Sequence, residues 1–278
     1  MRAGYLPKNS DSLVREFLPQ LAVRFSYTPM QGTLIFVHFP LMHHPLMQHT
    51  SLASENARGM RPEPNWDQRL QSGESWQPQA GSLLVVGPHP HDEILGAGGL
   101  IHTWVSLGHD VTVLSVTDGE ADDQPLEHLD LLRRDELRTA LRKLCATHVS
   151  VVRLGLRDGH VAGAQNRLRM ALDALLEPRM TVIAPYEFDG HPDHEAVGKV
   201  CRQAAQINGV PLARYLLRTW LTTPSRFFDE DLRWGKFALD MEARRAKAHA
   251  LQCFRSQRAA QAVDRIDPFQ RPFEAFLL

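Results

Sequence analysis

The sequence predicts an α/β protein with a Rossmann-like, mostly parallel sheet covered by helices on both faces. Three observations predict it. From Gly81 onward, short apolar strand-like runs alternate with helical patterns, the signature of β-α-β units. Two of those runs end in turns rich in histidine and aspartate, Pro88-His89-Pro90-His91-Asp92-Glu93 and His191-Pro192-Asp193-His194-Glu195. The first eighty residues show no such alternation.

The elements follow in order. Leu83-Leu84-Val85-Val86-Gly87 is an apolar strand, and a helix over 94–107 follows the first His/Asp turn. That helix contains Gly96-Ala97-Gly98-Gly99, which lacks the G-x-G-x-x-G spacing of a dinucleotide fingerprint and begins after the turn. Close helix–sheet packing explains these glycines better. Strands are predicted at 110–116, 149–153, 181–184 and 212–219, and helices at 127–145, 166–177 and 194–208. Phe237-Ala238-Leu239 adds an edge strand. The helix from Glu242 to Phe254 carries Arg244, Arg245 and Lys247 on its polar side.

Residues 1–80 read as a low-order extension or linker ahead of a domain over 81–278. They hold scattered Pro, Met, Ser and Gln, and the polar span 51–80 is rich in Gly and Pro. A second reading is that part of this arm is untranslated, with the start at Met42, Met47 or Met60. The cluster His43-His44 with His49 lacks the carboxylate or cysteine framework of a metal site.

Composition narrows the function classes. The formal net charge is −1, with 31 basic and 32 acidic side chains well mixed, which argues against a nucleic-acid partner. No segment has the run of about 18 apolar residues that a membrane span needs, and no secretory signal is recognisable. Cys145, Cys201 and Cys253 are an odd, widely spaced set that reads as buried free thiols. A cytoplasmic location is expected.

In a parallel sheet, ligands bind outside the carboxyl ends of the strands, and both His/Asp turns fall there. One turn can supply a histidine and a carboxylate and the other a second histidine, as a mononuclear metal site with an open position requires. Asp92 alone would read equally well as a helix cap. The second turn, with His191 and His194 flanking Pro192-Asp193 ahead of a helix, makes capping alone a poor account of both.

These turns resemble those of the LmbE/PIG-L family of zinc-dependent de-N-acetylases, whose motifs read P/A-H-P-D-D-E and H-P-D-H. Thr117-Asp118-Gly119-Glu120, Arg133 to Leu137, Leu154-Gly155-Leu156-Arg157-Asp158-Gly159 and the helix from Lys247 to Gln257 are similar to further family segments. The resemblance covers residues 83–257. It implies that His89, Asp92 and His194 ligate the metal, zinc or ferrous iron, since such N/O donor sets take either. It implies that His191 stabilises the oxyanion and helps protonate the leaving amine, with Asp193 orienting its ring and raising its pKa. Arg133 would contact the substrate, or else pair with Glu136 on its own helix. Asp158 would bind substrate, support the site from behind, or form the turn before Gly159.

One position departs from the pattern. The family places its general base, a carboxylate, where this chain has His91. An imidazole titrates in the right range, but it is larger and leaves the site one negative charge poorer. The expected function is removal of an N-acetyl group from an N-acetylglucosamine-type sugar conjugate. The alternative is a silent or weak relative that binds a carbohydrate or metabolite. The acceptor side of the site is assigned to the loops Glu120–Leu126, Asp158–Asn166 and Tyr186–Asp189.

Overall fold

A computed structural model of the chain describes residues 15–16, 70, 73–121, 127–145, 149–220, 232–257, 269 and 271–278. Met42, Met47, Met60, the His43-His44 cluster and residues 122–126 of the acidic loop lie outside them.

The strands are β1 (Arg15–Glu16), β2 (Glu74–Ser75), β3 (Leu83–Gly87), β4 (Val111–Thr117), β5 (Ser150–Leu156), β6 (Thr181–Pro185), β7 (Leu212–Tyr215), β8 (Trp234–Ala238) and β9 (Phe273–Leu277). The helices are α1 (Asp92–Ser106), α2 (Leu129–Leu144), α3 (Gln165–Leu175), α4 (Pro192–Asn208) and α5 (Met241–Leu251). Among the described residues the sheet order is β1-β5-β4-β3-β6-β7-β9-β8-β2. All pairings are parallel except those of β9, which runs antiparallel to both β7 and β8.

Every residue of β3 is buried, as a central strand covered on both faces must be. Its alternation sorts the core into two layers. Leu83 and Val85 face one cluster with Leu100, Leu137, Leu141 and Leu251, from α1, α2 and α5. Leu84 and Val86 face the other, with Leu168, Leu172, Val197 and Val200, from α3 and α4. From β3 the chain winds outward through β4 to β5, then returns through β6 to the other side of β3. Strand order reverses there, and the crevice between the carboxyl ends of β3 and β6 is where such sheets bind ligands.

The structure moves several predicted elements. The strand expected at 212–219 stops at Tyr215, because the N–H groups of Leu217, Arg218 and Thr219 turn away to Asp189. The expected edge strand at 237–239 is β8, which begins at Trp234 and has β9 on one side and β2 on the other. Strand β9 had no counterpart in the prediction. Glu74–Ser75 pairs with β8 and Trp76 packs on Phe276 at a ring separation of 5.1 Å, so packed structure extends before Gly81. Lys247 is buried rather than on the polar side of its helix, since its ammonium finds partners inside.

Helix α1 is broken at Ala97 (φ −144°, ψ 18°). The glycines around the break allow close packing: a Cβ at Gly96 would lie 2.4 Å from the Tyr215 ring, and one at Gly99 2.4 Å from Leu239. The backbone groups released by the break are satisfied from elsewhere. Lys247 Nζ donates to the Leu95 carbonyl at 2.8 Å, and the N–H groups of Gly99 and Leu100 each donate to Glu274 at 2.8 Å. Cys145 and Cys201 are buried free thiols and Cys253 is partly exposed. Among the described residues no helix is long and apolar enough to cross a membrane.

Candidate metal centre

The turn after β3 and the start of α4 bring His89, Asp92 and His194 together. All three are buried. His89 Nδ1 lies 3.1 Å from Asp92 Oδ2, His194 Nε2 lies 3.2 Å from the same oxygen, and the two ring nitrogens are 3.3 Å apart. A tetrahedral ion with bonds of about 2.0–2.1 Å has ligand–ligand edges of about 3.3–3.4 Å. The triangle of donors therefore fits such an ion, and two imidazoles with one carboxylate are the donor chemistry it prefers.

The far side of each imidazole is held by carboxylates. His89 Nε2 is 3.0 Å from Asp158 Oδ1 and 3.4 Å from Asp193 Oδ2. His194 Nδ1 is 2.7 Å from Asp189 Oδ2. Such partners fix ring orientation and tautomer and raise ligand basicity. Burial opposes charge on both rings, yet the carboxylates overcome it. Asp158, Asp193 and Asp92 hold the His89 proton well above the usual range, and Asp92 and Asp189 raise His194 to about 9. Asp92 is held well below the usual carboxylate range, because the facing His194 and the hydrogen bonds from His194 and His89 outweigh its burial.

Two expectations are corrected. Asp193 does not steady His191 through its carboxylate: its oxygens accept from Gly159 N–H at 2.7 Å and Val161 N–H at 3.1 Å and face His89. The reason is local, because Asp193 lies in the first turn of α4 and points into the β5–α3 loop. Its backbone N–H instead donates to His191 Nδ1 at 3.2 Å. Nor is the His191 pKa raised; burial, with His194 and His89 adding positive charge, pushes it down to about 4. Of the readings given for Asp158, the geometry matches support from behind the site: one oxygen faces the back of His89, and the other accepts from Ala121 N–H at 3.1 Å.

Arg133 is buried, and its guanidinium donates to the Gly119 carbonyl. The intrahelical alternative for Glu136 gives way to Ser256, whose N–H and hydroxyl donate to it at 2.8 and 2.6 Å. The neighbouring Gln257 donates to the Pro90 carbonyl at 2.6 Å and so ties the segment after α5 to the metal turn.

His91 and His191 flank the three candidate ligands with opposite polarity. His91 Nδ1 lies 2.5 Å from the Pro90 carbonyl oxygen, which can only accept, so this nitrogen carries the proton. The bare Nε2 of the neutral ring then faces Asp92 Oδ1 at 3.5 Å. Burial lowers the His91 pKa despite the Asp92 charge, favouring that neutral form. His191 Nδ1 accepts a backbone N–H, so its Nε2 carries the proton. Its ring centroid lies 4.6 Å from that of His194 and 4.9 Å from that of His89. The backbone of His91 has φ 125°, a conformation that costs about 1–3 kcal/mol in a non-glycine residue and clusters at functional sites.

The sequence reading missed Asp189. It was assigned to an acceptor-side loop, yet it is fully buried against His194. Its position beside Gly190 reads as a turn, and only its place five residues before His194 hints at more.

Residues 84–205 match the family model described as PIG-L: GlcNAc-PI de-N-acetylase. A 1D-myo-inositol 2-acetamido-2-deoxy-alpha-D-glucopyranoside deacetylase from Catenulispora acidiphila is 28% identical over 160 residues, 46% of this chain and 52% of that protein. Diacetylchitobiose deacetylase from Thermococcus kodakarensis is 27% identical over 139 residues, 46% of this chain and 51% of that protein. The chain thus spans about half the length of the curated relatives it matches. A deacetylase of the teicoplanin biosynthesis pathway shares the fold, with TM-score 0.58 at 20% identity over 70% of this chain and 96% of that one. Over residues 84–205 the chain is therefore similar to the PIG-L family, the likeness its two His/Asp turns suggest.

Proposed function

We propose that this chain is a metal-dependent hydrolase that removes the N-acetyl group from an N-acetylglucosamine-type sugar conjugate. The observation that carries the reading is a three-donor metal triangle with His91, its Nδ1 on a carbonyl oxygen, and His191, its Nδ1 on a backbone N–H, both beside it. His89, Asp92 and His194 would hold the ion, zinc or ferrous iron. When bound, it would polarise the amide carbonyl and acidify the attacking water.

The chain's own groups carry the protons. His91 Nε2 accepts the proton of the attacking water, the task for which a bare and neutral nitrogen is suited. His191 donates an Nε2–H hydrogen bond to the developing oxyanion, and the proton that His91 took from water passes to the departing amine. Asp193 and Asp158 hold His89 from behind. Arg133 braces the Gly119 turn with one arm of its guanidinium. On this reading residues 81–278 carry the hydrolase domain and 1–80 form an extension, of which residues 74–76 pack onto the domain's sheet.

The relatives support the substrate class. The family model is named for a GlcNAc-PI de-N-acetylase, and two of the matched proteins are named as deacetylases, one of an acetamido-deoxy-glucopyranoside and one of diacetylchitobiose. The test is acetate release by the zinc-loaded chain from a panel of N-acetylglucosaminyl conjugates. Release that is lost with a chelator and restored by zinc is the expected result. A chain carrying about one zinc yet releasing no acetate across the panel would overturn catalysis and leave a carbohydrate-binding protein.

A further inference from the structure

We infer that Asp189 is a positioning residue that fixes which nitrogen of His194 is available to the metal. The inference rests on the metal-site reading above and deepens it. Asp189 is fully buried in the turn between β6 and α4. Its Oδ1 accepts from the N–H of Leu217 at 2.9 Å, the N–H of Thr219 at 3.0 Å and the hydroxyl of Thr219 at 2.8 Å. Its Oδ2 accepts from the N–H of Arg218 at 3.0 Å and faces His194 Nδ1 at 2.7 Å.

With four N–H and O–H donors already turned toward its oxygens, the carboxylate is presented to the imidazole as an acceptor. His194 Nδ1 must therefore be the protonated nitrogen. Its other nitrogen, Nε2, is the one turned toward Asp92 and His89. A neutral imidazole presents one lone pair, and Asp189 decides that it lies on the metal side.

The same carboxylate anchors the turn Arg218–Trp220, which lies beyond the segment matched by the family model. That turn in effect builds a cage of N–H and O–H groups around Asp189. The cage fixes where the aspartate points, so residues after β7 act on the metal centre without touching it.

Asp189→Asn isolates the role. The amide can keep its oxygen on the Leu217 and Thr219 donors, but it then presents an NH2 group to His194. Nδ1 must become the acceptor, which moves the proton to Nε2 and blocks ligation. Thr219→Val is the control, since it removes one donor to Asp189 and leaves the Asp189–His194 contact in place.

Two readouts decide the matter on the full chain. Zinc affinity is measured by competition with a chromophoric chelator, and the His194 tautomer by imidazole 15N spectra assigned through His194→Ala. The expected result is an Nδ1–H signal for His194 in the zinc-loaded wild type. Zinc affinity should fall by about 10–100-fold in Asp189→Asn and stay within about threefold in Thr219→Val. Asp189→Asn binding zinc as tightly as wild type would overturn the inference, as would a wild-type His194 with its proton on Nε2. If Asp189→Asn does not fold, the wild-type spectrum alone decides. Failure of the wild type to bind zinc at all would instead remove the metal-site reading, and this inference with it.

Discussion

Lys247 and Glu274 close the break in α1 from its two sides. Their side chains meet at 2.5 Å, both buried, with the ammonium on the Leu95 carbonyl and the carboxylate on the Gly99 and Leu100 N–H groups. Removing one partner strands the other charge in the core together with unsatisfied backbone groups. Lys247→Met or Glu274→Leu should each lower stability by about 3–5 kcal/mol, read from urea unfolding. The double variant should lose less than the sum of the two, because neither charge is then left alone.

The packing of α1 against Tyr215 gives a second prediction. The ring that a Gly96 Cβ would strike is tethered by its hydroxyl to the Val86 carbonyl at 2.7 Å and cannot swing aside. Gly96→Ala should cost about 1–3 kcal/mol through overpacking. Gly163→Ala, with nothing within 4 Å of the added carbon, should stay within about 0.5 kcal/mol of wild type. Thermal unfolding of the two variants side by side checks the contrast.

Backbone strain at His91 predicts an inversion. Glycine is ordinarily less stabilising than alanine by about 0.5–1 kcal/mol in regular structure. At φ 125° the order should reverse, His91→Gly being more stable than His91→Ala by about 1–2 kcal/mol. Both should lose about 10²–10⁴-fold in turnover if His91 is the base. His91→Asp should retain substantial turnover with an altered pH profile; activity present only in His91→Asp would assign wild type to the silent reading.

Metal linkage supplies a fourth. Zinc binding only the folded chain should raise its stability by about 2.7 kcal/mol at 100 times the dissociation constant, seen as an upward shift in Tm. The shift should vanish on addition of a chelator and in His194→Ala, which removes one corner of the donor triangle.

Much of this was legible in the sequence, and the exceptions share a cause. The run 83–87 and the two His/Asp turns announce themselves because local composition alone sets them: apolar residues buried on both faces, then polar turns at strand ends. Contacts between distant segments do not announce themselves. Nothing near Leu217 says that its N–H will go to Asp189, so the seventh strand read too long. Lys247 looked like a surface lysine because its partners lie 152 and 27 residues away. The His91 substitution was visible at once, whereas the proton it holds against Pro90 required coordinates.

Strand β9 has a consequence for the order in which the molecule comes together. Residues 273–277 slot between β7 and β8, and their Glu274 is what caps the second half of the helix that begins at Asp92. During synthesis the chain emerges N-terminus first, so the turn bearing His89 and Asp92 leaves the ribosome some 180 residues ahead of the group that steadies it. Until then α1 has an uncapped break and the centre beside it is unfinished. On the metal-site reading proposed above, loading with metal would then follow synthesis of the whole chain, after Glu274 has arrived.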